Sequence, residues 1–260
     1  MNPAILLIAL PTDPQPPIVP VLDPPLAAFV AEDAPKPVMD KWTGSVAIGA
    51  VYQDGNTDAR SVNATGKAEY RREKDRWTID GFWDYGETKD QTTGDWALNS
   101  RKAGLAAKYD YFLSQKLYVS GNASADTDTL ADIKLRTFFG ASVGYQWQES
   151  ETFKWNSEIG AGYLTEEHYV DDDKDYWAGR AMNNIEWQIN DKCSFANTAT
   201  VYMSLEDKED VNTRSDTRLK TNLTDTMFAQ LQWVWDYDNT PATDKERNDN
   251  KVSLGLGWSF

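Results

Sequence analysis

The sequence predicts an all-β chain folded as an antiparallel up-and-down transmembrane β-barrel of about twelve strands, and three observations predict it. Apolar and polar or small residues alternate with period two in nearly every segment from Trp42 to Phe260. The connections alternate between short turns and longer polar loops, and Trp and Tyr gather toward the segment ends. No helix is needed anywhere.

Residues 1–40 stand before this pattern. Ala4 to Leu10 is a short apolar stretch with no basic residue ahead of it, a weak secretory signal that stops at Pro11. From Pro11 to Pro37 the chain interleaves most of its 11 prolines with Asp and aliphatic residues, which favours extended backbone. Residues 1–40 therefore read as a Pro-rich leader remnant or linker, and 41–260 as the barrel.

The first strand, 42–53, sets Trp42, Val46, Ile48, Ala50 and Tyr52 against Thr43, Ser45, Ala47 and Gly49. Asp54, Gly55 and Asn56 form a tight hairpin turn, Gly and Asn supplying positive φ. The second strand, 59–72, carries Lys67 and Glu69 on its polar face, and the third, 76–88, alternates Trp77, Ile79, Trp83 and Tyr85 with Thr78, Asp80 and Asp84. The fourth, 96–112, holds Lys102, Lys108 and Asp110, and the fifth, 115–128, holds Asp126. The sixth, 133–148, sets Leu135, Phe139, Ala141, Val143, Tyr145 and Trp147 against Arg136, Gly140, Ser142, Gly144 and Gln146. The seventh, 153–166, contributes Lys154 and Glu158, and the eighth, 176–189, Arg180 and Glu186. The ninth, 192–204, includes the lone Cys193, which shares a face with Phe195, Ala199, Val201 and Met203. The tenth, 212–223, brings Arg218 and Lys220; the eleventh, 227–238, alternates Leu231, Trp233 and Trp235 with Gln230, Gln232 and Asp236; the twelfth, 249–260, sets Val252, Leu254, Leu256, Trp258 and Phe260 against Ser253, Gly255, Gly257 and Ser259.

The turns at 73–75, 113–114, 149–152, 190–191 and 224–226 are short, whereas the loops at 88–95, 167–175, 205–211 and 239–248 are longer. Short turns at one end and long loops at the other are the pattern of a membrane barrel, short turns periplasmic. Two loops, 54–58 and 129–132, are short for this rule.

Alternation alone leaves open whether the apolar face points in or out. Both signs of charge at mid-strand positions suit a polar lumen, the aromatic strand ends suit headgroup belts, and twelve apolar faces would overfill one soluble core. Composition agrees. With 26 Lys or Arg against 41 Asp or Glu the net charge is −15, which repels phosphate backbones, so no nucleic-acid partner is expected. Mean hydropathy is −0.62, and no apolar run reaches the length of about 18 residues that a membrane helix needs. One Cys excludes an intrachain disulfide and two-Cys metal motifs.

The chain stops on Phe260, with Trp258 two before, Gly255 five before and Ser253 seven before, an arrangement that looks like the C-terminal assembly signal of bacterial outer-membrane barrels. Trp42, Gly44, the turn Gly55, Asn56, Thr57, and the strand ending in Tyr70 and Arg71 resemble the opening of the salt-induced outer-membrane protein family, the domain of unknown function numbered 481. Tyr237, Asp238, Asn239, Thr240 and Pro241 resemble its ending, so the likeness runs over 42–260. It implies a bacterial outer-membrane barrel without an established substrate, with outer-membrane lipid and the barrel assembly machinery as partners.

Any His-dependent chemistry rests on His168, at the mouth of an acidic loop with Glu166, Glu167, Asp171, Asp172, Asp173 and Asp175. A His in a solvated loop is seldom catalytic, so no enzyme is expected. The acids lack the spacing and glycine of an EF-hand, and together with Glu206, Asp207, Glu209 and Asp210 they read as charge that keeps the loops solvated. No metal or cofactor is expected. The residues expected to line the lumen are Lys67, Glu69, Lys102, Lys108, Arg136, Glu158, Arg180, Glu186, Arg218 and Lys220. Spread around water they make a passive small-solute or ion channel; paired across it they make an occluded structural or envelope-stress barrel. A soluble Trp-rich sandwich that binds glycans is the lesser alternative.

Overall fold

A computed structural model describes residues 40–54, 58–243 and 245–260. The linker reading of 1–40 and the turn at Gly55 and Asn56 lie outside the described residues, Asp40 excepted. The strands are β1 (Trp42–Gln53), β2 (Ala59–Arg71), β3 (Asp75–Lys89), β4 (Trp96–Phe112), β5 (Leu117–Asp128), β6 (Ile133–Glu149), β7 (Phe153–His168), β8 (Lys174–Gln188), β9 (Cys193–Ser204), β10 (Val211–Asn222), β11 (Met227–Asp238) and β12 (Asn248–Ser259). Every bound falls within two residues of the alternation-based one. Each strand pairs antiparallel with its sequence neighbours, and β12 returns to β1 to close the ring. Among the described residues one closed sheet takes up every strand, so the sandwich alternative fails.

The short turns are built the same way four times. Ser114 Oγ accepts the N–H of Leu117, Ser150 Oγ that of Phe153, Asn190 Oδ1 that of Cys193 and Thr224 Oγ1 that of Met227. In each, a small polar side chain bonds the backbone three residues on and turns the chain back into the next strand.

The apolar positions point outward. Val46, Ile48, Leu105, Phe139, Val143, Ile159, Leu231, Val252 and Leu254 are all exposed. Near the short turns this band meets a rim of aromatic pairs: Trp42 on Tyr70, Trp77 on Tyr109, and Trp147 between Tyr145 and Trp155. Toward the loops, Trp83 with Tyr85, Tyr163 with Trp177 and Trp235 with Tyr237 form the opposite rim. An apolar band between two aromatic girdles, around a charged interior, is a surface for lipid, and barrels of this build lie in the bacterial outer membrane.

The closing seam is shorter than the strands that make it. β1 and β12 pair from Ser45↔Ser259 to Gly49↔Gly255, and Gly44 exchanges two backbone hydrogen bonds of 3.0 Å with Phe260. Beyond Gly49 both strands continue, β1 held by β2 and β12 by β11. Gly44 has a steric reason: a Cβ there would strike the Lys67 carbonyl and lie 2.7 Å from the Phe260 ring. Register shifts sit toward strand ends, at Gly86/Glu87, Asp126/Asp128, Ile133/Leu135 and Gln146/Gln148.

Candidate functional site: the charged lumen

Contacts between strands that are not neighbours in the ring can form only through the bore, and the ionic side chains make many of them. The longest reach joins Lys67 on β2 to Glu186 on β8, Nζ to Oε1 2.6 Å, between strands six places apart in the twelve-strand ring. Twelve strands about 4.8 Å apart, tilted by about 40°, would enclose a circle roughly 24 Å across. A lysine and a glutamate joined end to end span only roughly 14 Å between Cα atoms. The section is therefore flattened, and facing walls approach each other at this level.

Around the short-turn end, Glu186 also has Lys154 at 3.8 Å, Lys220 Nζ donates to Ser45 Oγ at 2.8 Å and lies over the Phe228 ring, and Arg218 donates to Asp216 on its own strand. Arg71 on β2 reaches Glu149 at the end of β6 at 3.7 Å. Glu69 forms part of a recess with Thr43, Gly44, Ser45, Lys67, Lys154 and Glu186.

The most enclosed group runs inward from the short turns, from Arg76, Asp110 and Tyr118 to Glu158 and Arg180. Asp110 and Glu158 have fully buried carboxylates. Arg76 Nε donates to Asp110 at 2.7 Å; Lys108 lies between Asp110 and Glu158; Arg180 Nη1 donates to Glu158 at 2.8 Å and Tyr118 O–H to the same residue at 2.9 Å. Asn156 in turn donates to the Tyr118 hydroxyl. Buried charge on this scale is tolerated only because each carboxylate meets more than one donor. Beside it Phe138, Leu164, Tyr176 and Ala178 form an apolar cluster inside the barrel, with Tyr202 against Phe138 edge-on.

Toward the loops, Lys102 on β4 approaches Asp128, Asp236 and Asp249, at 3.0, 3.6 and 3.6 Å, and Lys251 pairs with Asp84. Arg136 donates to Glu166 at 2.5 Å with Asp126 at 4.0 Å, and Arg214 bonds Asp236 while covering the Phe82 ring from across the bore. Arg71, Arg76, Arg214 and Lys251 were not among the lumen residues expected from sequence. Their signal was present: Arg71, Arg76 and Arg214 share the parity of the charged face of their strands, and Lys251 that of Ser253 and Gly255.

The loops interlock above this layer. Asp132, at φ 66°, accepts the N–H of Asp171 and of Val170; Asp171 accepts that of Thr243; Asn239 donates to the Glu209 carbonyl. The Asp171 and Val170 amides hold the Asp132 carboxyl below the usual carboxylate range, whereas burial pushes that of Asp210 up against the pull of Lys174. His168 corrects an expectation: it stands at the head of the acidic loop, its backbone N–H donating to Asp173, but it is the last residue of β7, with a side chain only 5% exposed and Nε2 3.9 Å from Glu166. Among the described residues no group of His, Cys, Asp and Glu has a geometry that could hold a metal ion. At the C-terminus Trp258 and Phe260 face outward, Gly255 lies at the seam, and Ser253 pairs with Gln232.

The family described as "Protein of unknown function, DUF481" matches residues 46–260. The chain is 21% identical over 236 residues to "Uncharacterized protein YdiY" of Escherichia coli (strain K12), covering 90% of this chain and 89% of that one. Among solved structures it is similar to the NanC porin, at 12% identity over 84% of this chain and 98% of that one with a TM-score of 0.49. It is also similar to an outer-membrane channel from Pseudomonas putida F1, at 11% identity over 87% and 97% with a TM-score of 0.45.

Proposed function

The chain belongs to the DUF481 family, and on that premise we propose that it is a non-enzymatic outer-membrane channel of ion scale, whose flattened bore is held nearly shut by ion pairs between facing walls. The observation that carries this reading is the Lys67–Glu186 pair, which joins walls six strands apart in the twelve-strand ring. Such a bore passes water and small ions between side chains and excludes sugars and peptides. The surrounding hydroxyls and amides, Ser45, Ser142, Ser194, Thr198, Gln230 and Gln232, offer the exchangeable hydrogen bonds that a hydrated ion needs.

Single-channel recording from the refolded protein in a planar bilayer tests the proposal, with the heat-modifiable gel shift as the folding control. The expected record is small, discrete steps that grow several-fold in Lys67→Ala/Glu186→Ala, because both ends of the strut are removed together and only Lys154, among the described residues, loses its carboxylate partner. A second reading, an occluded barrel with a structural role, is favoured by the complete burial of the Asp110 and Glu158 carboxylates. Folded barrels that stay silent in both forms would establish that reading instead.

A further inference from the structure

We infer that the recess at the short-turn end of the lumen is a binding site for a small anion, a phosphate or a short carboxylate, with Lys220 as its principal contact. Thr43, Gly44, Ser45, Lys67, Glu69, Lys154 and Glu186 line this recess, whose volume is about 120 Å³. Lys220 reaches its wall from β10, three strands away from β1, and donates to Ser45 Oγ at 2.8 Å.

The assignment follows from which charges are already matched. Lys67 and Lys154 both lean on the single carboxylate of Glu186, at 2.6 and 3.8 Å. Glu69, the other carboxylate lining the recess, forms no ion pair among the described residues, so it is Lys220 and the Ser45 hydroxyl, and not an excess of cations in the lining, that place the anion. Lys220 alone among these lysines has no carboxylate within ion-pair distance among the described residues; its other neighbour is the face of Phe228, 4.5 Å away. Arg218, two residues before it on the same face of β10, is a further cation, itself paired with Asp216. A half-buried ammonium held by one neutral hydroxyl gains most from a mobile anion, which would accept from Lys220 Nζ and from the Ser45 and Thr43 hydroxyls together.

Charge sets the class: an unpaired ammonium beside a hydroxyl takes a small anion, and the recess has room for inorganic phosphate or acetate. The site would be filled from the periplasmic side, the side of the short turns.

This inference does not depend on conduction, because binding is measured at equilibrium. Isothermal titration of the refolded full-length protein in detergent with inorganic phosphate, and separately with acetate, should show one saturable site for at least one of them. Lys220→Met should weaken it at least tenfold, Lys220→Arg should retain most of it, and Ser45→Ala should weaken it by a smaller factor. Lys251→Met, which removes a lumen lysine paired with Asp84 near the other end, should leave it unchanged. If Lys220→Met fails the gel-shift control, Lys220→Gln and Ser45→Ala carry the test. Absence of saturable binding by either anion overturns the proposal, as does binding that Lys220 and Ser45 substitutions leave intact or that Lys251→Met removes equally.

Discussion

At the scale of single residues, two side chains show how little space or charge this barrel leaves unassigned. Asp132 sits in the left-handed region, and its carboxylate accepts two backbone N–H groups from the loop after β7. Those bonds favour the charged form, so the folded value lies below the unfolded one of about 4. The contact is accordingly fully present above the unfolded value and is lost only as pH falls through the lowered folded value. The Val170 and Asp171 amide proton shifts should therefore titrate together with a midpoint below 4, and Asp132→Asn, which tolerates the same backbone, should abolish that titration. A midpoint at an ordinary carboxylate value would mean that these bonds do not form. Gly144 makes the steric case: a Cβ there would run into the ring of Tyr118, which is fully buried and fixed by Glu158 and Asn156. Gly144→Ala should cost about 1–3 kcal/mol through overpacking, against nearly nothing for Gly121→Ala, whose added methyl meets open space. Urea unfolding in micelles, followed by tryptophan fluorescence, separates the two.

At the scale of elements, the β1–β12 seam is the place where the ladder stops before its strands do. Pairing ends at Gly49↔Gly255 although β1 runs on to Gln53 and β12 back to Asn248. In a Cys193→Ser background, Ser45→Cys/Ser259→Cys should cross-link within a folded barrel. Tyr52→Cys/Val252→Cys, the pair that an unbroken register would bring together, should not, because a disulfide needs Cβ atoms about 3.5–4.5 Å apart. Equal yields would mean that the seam is zipped along its whole length. This seam also marks the limit of what the sequence could say. Strand ends were legible within two residues because one apolar face and a turn residue are local signals: Ser114, Ser150, Asn190 and Thr224 each close a hairpin with their own neighbours. The extent of the seam depends on two segments some 200 residues apart, and no local pattern encodes it. The cross-bore partners were equally out of reach. Parity puts Lys67 and Glu186 each on the polar face of its strand, but their meeting depends on ring order, stagger and flattening together. His168 failed for a related reason: the acids that follow it resemble a solvated loop, while the β6 pairing carries the strand two residues farther and buries the ring.

At the scale of the whole molecule, charge is distributed unequally along the barrel axis, and this predicts how any current should depend on salt. The chain carries a net charge of −15, and its exposed acids at the long-loop end include Asp172, Asp173, Glu206, Asp207 and Glu209 in the loops and Glu167 and Asp175 at the ends of β7 and β8. Inside, most ionic groups are already paired, so the lumen contributes little net field, and the mouth decides which ion is enriched before entry. The mouth acids are solvated, and their influence extends about 10 Å at 0.1 M salt but only about 3 Å at 1 M. The lumen pairs are partly or wholly buried, so the same salt screens them far less. Reversal potentials across a potassium chloride gradient should therefore show a cation preference near 0.1 M that falls toward none near 1 M. The triple change Asp172→Asn, Glu206→Gln, Glu209→Gln, at side chains with no hydrogen bond or ion pair among the described residues, should remove most of the low-salt preference and alter nothing at 1 M. The measurement is best made in parallel on Lys67→Ala/Glu186→Ala, whose larger steps give the better signal and whose mouth is unchanged. A cation preference that persists at 1 M, or that the triple variant leaves intact, would place selection on the buried pairs within the bore, and Asp126, Asp236 and Asp249 around Lys102 and Arg136 would be the groups to change next.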